Sequence, residues 1–421
     1  MRWAWLLSGM ILLAPLGQGA AQQAAPIELR YLCYEDGDEC EVSRDLLDRF
    51  HRANPTIRVV VDRVSFNVVR EQLEARLNAG QGPDMARITN LGGFNKFYLD
   101  LTPFIDVNAW EAAFGPTLAW LRVGPRDHGV YGFLTQLTVS GPFVNRSLFR
   151  RAGVALPGPD ASWDAWAEAI RQVRERTSVY SGIALDRSGH RFAGPAIAFG
   201  ARFIDEENRL VPPDAGVRAF AERLVRWHRD GLMPRDLWPA ATGSRLRSGT
   251  EMFINGDAVM HYGGSWLIHR YQEEIGDRFD WTAVPGPCGS AGCGGMPGGA
   301  AMVAFRHTRH PEAVARVMAY MASEAVLREF CVRTLQIPAH VGVVANGIEY
   351  PSASPAARAA LQFFIEAYPR IPLQAHRLQG HPRNHVVFNS IAEHITQAID
   401  GTASLDDALR RIEQDTRRAG E

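Results

Sequence analysis

The stretch Met252 to Trp266, MFINGDAVMHYGGSW, holds the residues best suited to binding chemistry. Asn255-Gly256 closes a helix, Ala258 to Tyr262 reads as a buried strand, and the run breaks at Gly263-Gly264 before Ser265 and Trp266. A Gly-Gly turn lets backbone approach a ligand closely and leaves N–H groups free to donate. Trp266 adds a flat apolar face. Polar edges beside an aromatic face suit a sugar, whose hydroxyls ring a C–H surface. On this reading Trp266 is a stacking platform, and Gly264 and Ser265 are hydrogen-bond donors.

Other chemistry-bearing groups are scattered. Glu35 and Asp36 are acidic acceptors within a short loop between Cys33 and Cys40, where a solvated acidic turn is the plainer reading. Arg191 and Phe192 sit in the polar segment DRSGHRFAGP. His376, His381 and His385 form the one cluster resembling a metal site. Pro382 interrupts it and no carboxylate has matching helical spacing, so no metal is expected. Asp36 to Glu41 lacks a calcium-loop pattern. No nucleophile elbow, zinc-protease helix, phosphate loop or dinucleotide motif occurs in its required context, so neither catalysis nor a cofactor is expected.

These residues need a frame, and the apolar patterning supplies one. Ile27 to Leu32 is a short strand. Ser43 to Ala53 has helical spacing through Leu46, Leu47 and Phe50, stopped by Asn54-Pro55. Ile57 to Val61 is a β-branched strand, Val68 to Ala79 a helix, and Asp84 to Ile88 a third strand after the turn Gly80-Gln81-Gly82-Pro83. Such alternation predicts an α/β fold with a mainly parallel sheet flanked by helices. Ligands bind at the carboxyl ends of strands in such sheets, which singles out Tyr34 to Asp36, Phe66, and Thr89-Asn90.

The N-terminus reads as an export signal. Arg2 precedes the apolar run Trp3 to Leu16, and Gly17 to Ala21 is a small-residue cleavage region. The run is short for a membrane span, and no Cys follows it for lipid attachment. The expected product is a soluble exported protein beginning after residue 21. The 421-residue chain has 45 Lys and Arg against 46 Asp and Glu, which leaves no basic surface for nucleic acid. Among five Cys, Cys33 with Cys40 and Cys288 with Cys293 read as two small-loop disulfides in an oxidising compartment; zinc is the rival reading. Cys331 lies in an apolar helix.

Taken with FHRANPTIRVVVDRV, GQGPDMARITN, YLDLTPFID, GVYGFLTQLTVSGPFVNRSLFRRAGV, SWDAW, VPGPCGSAGCGGMPGGAAMVAF, Pro311 to Glu324 and Ile399 to Leu409, the GDAVMHYGGSW segment resembles, in order and spacing, family 1 of the extracellular solute-binding proteins. These are the sugar-binding, maltose-binding-like components of bacterial ABC importers. The chain departs from the family at Thr135-Gln136, where Tyr and Pro are usual, and at Val144, where Tyr usually precedes the Asn.

The resemblance implies a two-lobed binding fold joined by hinge strands, with a ligand closed between the lobes. It suggests lobe 1 from 22 to 135, lobe 2 from 136 to 297, a return to lobe 1 from 298 to 345, and a shared helical region from 346 to 421. Crossings are expected near Phe133 to Gln136 and Pro297 to Val303. It adds Asn90 and Gln136 as hydroxyl-reading side chains, Gly298 and Gly299 as points of close backbone approach to ligand or strand, and Arg383 with Asn384 before the last long helix. It implies a monomer in the periplasm that delivers a mono- or oligosaccharide to permease subunits. An anionic or polyol solute such as a glycerophosphodiester is the second possibility, motivated by Arg383 and the histidines. An exported carbohydrate-active enzyme is the third.

Overall fold

The computed structural model describes residues 25–124, 126–238 and 247–420; the segment read above as an export signal lies outside them. Ten strands occur in chain order: β1 (Ile27–Cys33), β2 (Ile57–Arg63), β3 (Met85–Ile88), β4 (Gly132–Asn145), β5 (Ser181–Ala184), β6 (Ala258–Gly264), β7 (Trp281–Ala283), β8 (Cys288–Gly289), β9 (Gly292–Cys293) and β10 (Pro297–Ala304).

The N-terminal βαβαβ unit forms as its patterning predicts. β1 pairs in parallel with both β2 and β3. The intervening helices are Glu39–Ala53 and Phe66–Asn78. The first buries Val42, Leu46, Leu47 and Phe50, a helical stripe, and stops at Asn54 before Pro55. It begins four residues before Ser43, so Cys40 belongs to its first turn.

The sheet path runs β2-β1-β3-β10-β4-β6-β5, with β7 also on β4. β4 is buried along its whole length. It pairs with β10 through Val139, then with β6 from Ser140 onward. One strand therefore belongs to two sheets, and the chain divides into two lobes about it. The β10 ladder shifts between Ala300 and Ala301, opposite Gln136 and Leu134, which leaves Thr135 as the extra residue of a bulge. β5 and β6 are parallel, giving the second lobe its own parallel edge. Trp163, Trp166, Trp227 and Trp238, each at most 1% exposed, fill its core.

Both expected disulfides are present, Cys33–Cys40 and Cys288–Cys293, the latter closing the β8-β9 hairpin just ahead of β10. Cys331 is a free, buried thiol. The C-terminal helices Leu373–Gln379 and Asn384–Asp400 pack on the helix Gly189–Ala198 of the second lobe. Among the described residues no helix is long and apolar enough to cross a membrane.

Candidate functional site

Parallel strands deliver their following loops to one edge. In the first lobe this edge carries Tyr34 to Asp38, Val64 to Phe66, and Thr89-Asn90; in the second it carries Leu185 to Arg191 and Ser265 to Arg270. The two edges face each other. His269 Nε2 lies 3.3 Å from Asp38 Oδ2 across the divide. A Cβ on Gly37 would sit 2.9 Å from His269 Nδ1, and one on Gly92 would sit 2.6 Å from the Pro382 Cα.

The first-lobe loop is held by a buried network. Glu39, fully buried, accepts from the Asp36 and Gly37 N–H groups through Oε2 at 3.0 and 2.9 Å. Its Oε1 accepts from Gln336 Nε2 at 3.1 Å and lies 3.5 Å from Arg87 Nη2. Arg87, 1% exposed, donates from Nη1 to the Tyr34 carbonyl at 2.9 Å and lies over the Tyr34 ring. The Asp36 carboxylate makes no hydrogen bond among the described residues. Burial, and next the charge of Glu39, push its pKa up to about 6, against the opposing pull of Arg87, Arg191 and Arg270. Glu35 differs: its carboxylate pairs with Arg63 and accepts from the Cys40 N–H at 3.3 Å, so it fastens the loop.

In the second lobe, Gly263 and Gly264 do not form a turn. They extend β6 and pair with Gly141 and Ser140. Their role is room: a Cβ at Gly264 would lie 2.0 Å from Trp266 Cζ3, so the Trp266 ring rests against bare backbone. Ser265 is buried, and its Oγ accepts from the Val139 N–H at 3.1 Å, tying the loop to β4 where that strand changes sheets. Trp266 remains partly exposed, with the Arg191 guanidinium over its ring at 5.2 Å from the centroid.

Behind Arg191 stands a buried chain of polar groups. Asp186 Oδ1 accepts from the Gly249 N–H at 2.7 Å, at the start of the helix Gly249–Ile254, and Oδ2 is 3.2 Å from His261 Nε2. His261 Nδ1 in turn pairs with the buried Tyr271 hydroxyl. Burial raises the Asp186 pKa, but His261, Arg191 and the Gly249 N–H together outweigh it and hold the carboxylate well below its usual range. Asp186 and Arg87 were missed in the sequence because nothing marks a buried charge until its partner, distant in sequence, is known.

The other candidates fall in two groups. Asn90 stays at the site edge, its buried Oδ1 without a partner. Gln136 is 1% exposed with Oε1 2.5 Å from the Thr135 hydroxyl, at the bulge of the crossing strand. Gly298 and Gly299 serve strand packing: Cβ atoms there would lie 2.8 Å from Thr138 Oγ1 and 2.5 Å from the Gln136 carbonyl oxygen. Asn384 is buried and donates to the Gln379 carbonyl at 2.8 Å, a helix-start contact. The side chain of Arg383 is exposed. His381 uses both ring nitrogens on backbone, the Asn208 carbonyl and the Arg383 N–H, which leaves neither for a metal.

Two surface grooves, of about 640 and 490 Å³, lie elsewhere, one beside Arg218 and Asp406 and the other beside Tyr350 and Arg358. Neither touches the facing edges, and the convergence of polar groups is at the edges.

Solved structures share the fold at low identity. The ABC substrate-binding protein of Listeria monocytogenes in complex with cycloalternan is 16% identical, covers 94% of this chain and 99% of its own, and superposes with a TM-score of 0.75. An ABC transporter solute-binding protein of Thermotoga lettingae bound with α-D-tagatose is 15% identical, with coverages of 94% and 100% and a TM-score of 0.77. Maltose-bound MalE3 of T. maritima is 16% identical, with coverages of 93% and 100% and a TM-score of 0.74. Two lobes sharing a crossing strand, with loops facing across them, are thus a fold this chain has in common with these structures. Residues 41–327 match the bacterial extracellular solute-binding protein family, to which this chain therefore belongs.

Proposed function

We propose that the protein captures a carbohydrate between its lobes and hands it to the membrane permease of an ABC importer, as an exported, monomeric binder without turnover. One observation carries this reading. Trp266, partly exposed with its ring packed on Gly264, stands at the carboxyl edge of the second lobe, and that edge faces the first-lobe loop that carries the free carboxylate of Asp36. An aromatic platform facing hydroxyl acceptors is the chemistry a sugar ring needs. The cycloalternan, tagatose and maltose complexes of the relatives support the same class.

In this mechanism the first-lobe loop and the Trp266 loop approach about β4 and β10 and exclude water from the ligand. Calorimetric titration of the oxidised mature protein with mono-, di- and trisaccharides tests it. One ligand per chain is expected. Trp266→Ala should weaken binding by about 1–2 kcal/mol, or roughly 5- to 30-fold in Kd. Recovery of chemically altered sugar after long incubation would favour an enzyme instead.

A further inference from the structure

We propose that the carbohydrate carries a carboxylate, and that Arg191 is the residue that selects it; this rests on the carbohydrate-binding reading above. A guanidinium has five N–H donors. None of those on Arg191 is within hydrogen-bonding distance of an acceptor among the described residues, and Nε is buried without a partner. The closest carboxylate, Asp186, is 3.9 Å from Nη2 and already serves the Gly249 N–H and His261. The backbone N–H of Arg191 is capped by Ser188, so the residue is fixed at the first turn of the helix Gly189–Ala198, where the helix dipole adds positive potential. Buried donors are normally satisfied, so the partnerless Nε and the part-exposed terminal N–H groups of a guanidinium held in place over Trp266 leave room for an acceptor from a ligand.

Its position sets the ligand class. The Trp266 ring rests against Gly264 and carries the Arg191 guanidinium over its face. A neutral sugar that stacks there must push the guanidinium aside and replace neither the cation–π contact nor the missing acceptors. A sugar with a carboxylate keeps the arrangement, because two parallel N–H···O bonds match the planar fork. The first-lobe guanidinium Arg87 is pinned between Tyr34 and Glu39, and Arg270 pairs with Glu251 and Glu274. Arg87 also keeps buried donors, Nε and Nη2, without a hydrogen bond, but it is 1% exposed beneath Tyr34, whereas the Arg191 side chain is 21% exposed, lies over the Trp266 ring and has Asp186 only at 3.9 Å, so of the three it is the one a ligand can reach.

The test is calorimetry on the oxidised mature protein with galacturonate and glucuronate mono- to trisaccharides, their neutral galactose and glucose counterparts, and glucose 6-phosphate, for wild type, Arg191→Gln and Arg191→Lys. The expected result is uronate binding at least tenfold tighter than the neutral counterpart. In Arg191→Gln that preference disappears through a loss of about 10- to 100-fold in uronate affinity, and Arg191→Lys retains part of it. Unchanged melting temperatures show that the variants fold. Preference for neutral sugars, unaffected in Arg191→Gln, overturns this inference and leaves the carbohydrate reading standing. Binding of the phosphate ester alone overturns the carboxylate assignment. Binding of no sugar in the panel overturns both.

Discussion

Replacing Glu39 by Gln is the sharpest probe of how the first lobe presents its acceptor. Glu39 and Arg87 are 0% and 1% exposed, and their side chains approach to 3.5 Å. Gln keeps the volume, and its Oε1 still accepts from the Asp36 and Gly37 N–H groups, but it removes the charge opposite Arg87. Breaking one side of a buried ion pair costs roughly 3–5 kcal/mol, because the remaining charge stays out of water. At the lower figure, a lobe-sized unit loses on the order of 6–12 °C in melting temperature. A second readout separates this from loosened packing. Glu39 is the largest charge raising the Asp36 pKa, so the Asp36 midpoint should fall from about 6 toward the ordinary Asp value in Glu39→Gln. Urea unfolding and carboxyl-carbon NMR, with Asp36→Asn to assign the resonance, give both numbers. An unchanged urea midpoint together with an unmoved Asp36 titration would refute the network as the loop's support.

Asp36 titrates higher in the folded protein than unfolded, so its favourable contribution is full below about pH 4 and is lost as pH rises through about 6. Asp36→Asn should therefore melt above wild type at pH 7 and converge with it near pH 4, which paired melts at the two pH values will check. Gly264→Ala places a Cβ where Trp266 Cζ3 lies 2.0 Å away. The ring must swing off, at about 1–3 kcal/mol of stability, and sugar affinity should fall at least as far as in Trp266→Ala. Removing the Cys33–Cys40 disulfide as the double Ser variant should cost about 2–3 kcal/mol from a loop of this size, with ligand affinity falling because Asp36 lies within the loop. Equal urea midpoints for the oxidised protein and the variant would count against that.

How much was legible in the sequence depends on the range of the interaction. The βαβαβ unit, the stop at Asn54-Pro55 and both disulfides were readable because each is written within a few residues. The nearness of the Trp266 ring to Gly264 was readable because the two stand two residues apart. Gly263-Gly264 was misread as a break because glycine usually ends strands. Here it extends one, and the space it leaves is taken by Leu267 and Trp266, which only the tertiary fold reveals. Arg383, expected near the ligand, is an exposed helix-start residue, while Arg191, a candidate in the polar segment DRSGHRFAGP, lies over the Trp266 ring. Asp186, Glu39 and Arg87 stayed invisible. Their partners are His261, Gln336 and Tyr34, separated by 75, 297 and 53 residues, and a single sequence carries no sign of such pairs.

The most direct test of capture between the lobes is amide hydrogen exchange with and without a saturating sugar found by calorimetry. Capture between the lobes predicts simultaneous protection of residues 34–38 and 89–92 in the first lobe and 186–191 and 264–270 in the second, with the groove beside Arg218 and Asp406 unchanged. Protection confined to one lobe, or centred on that groove, would contradict it.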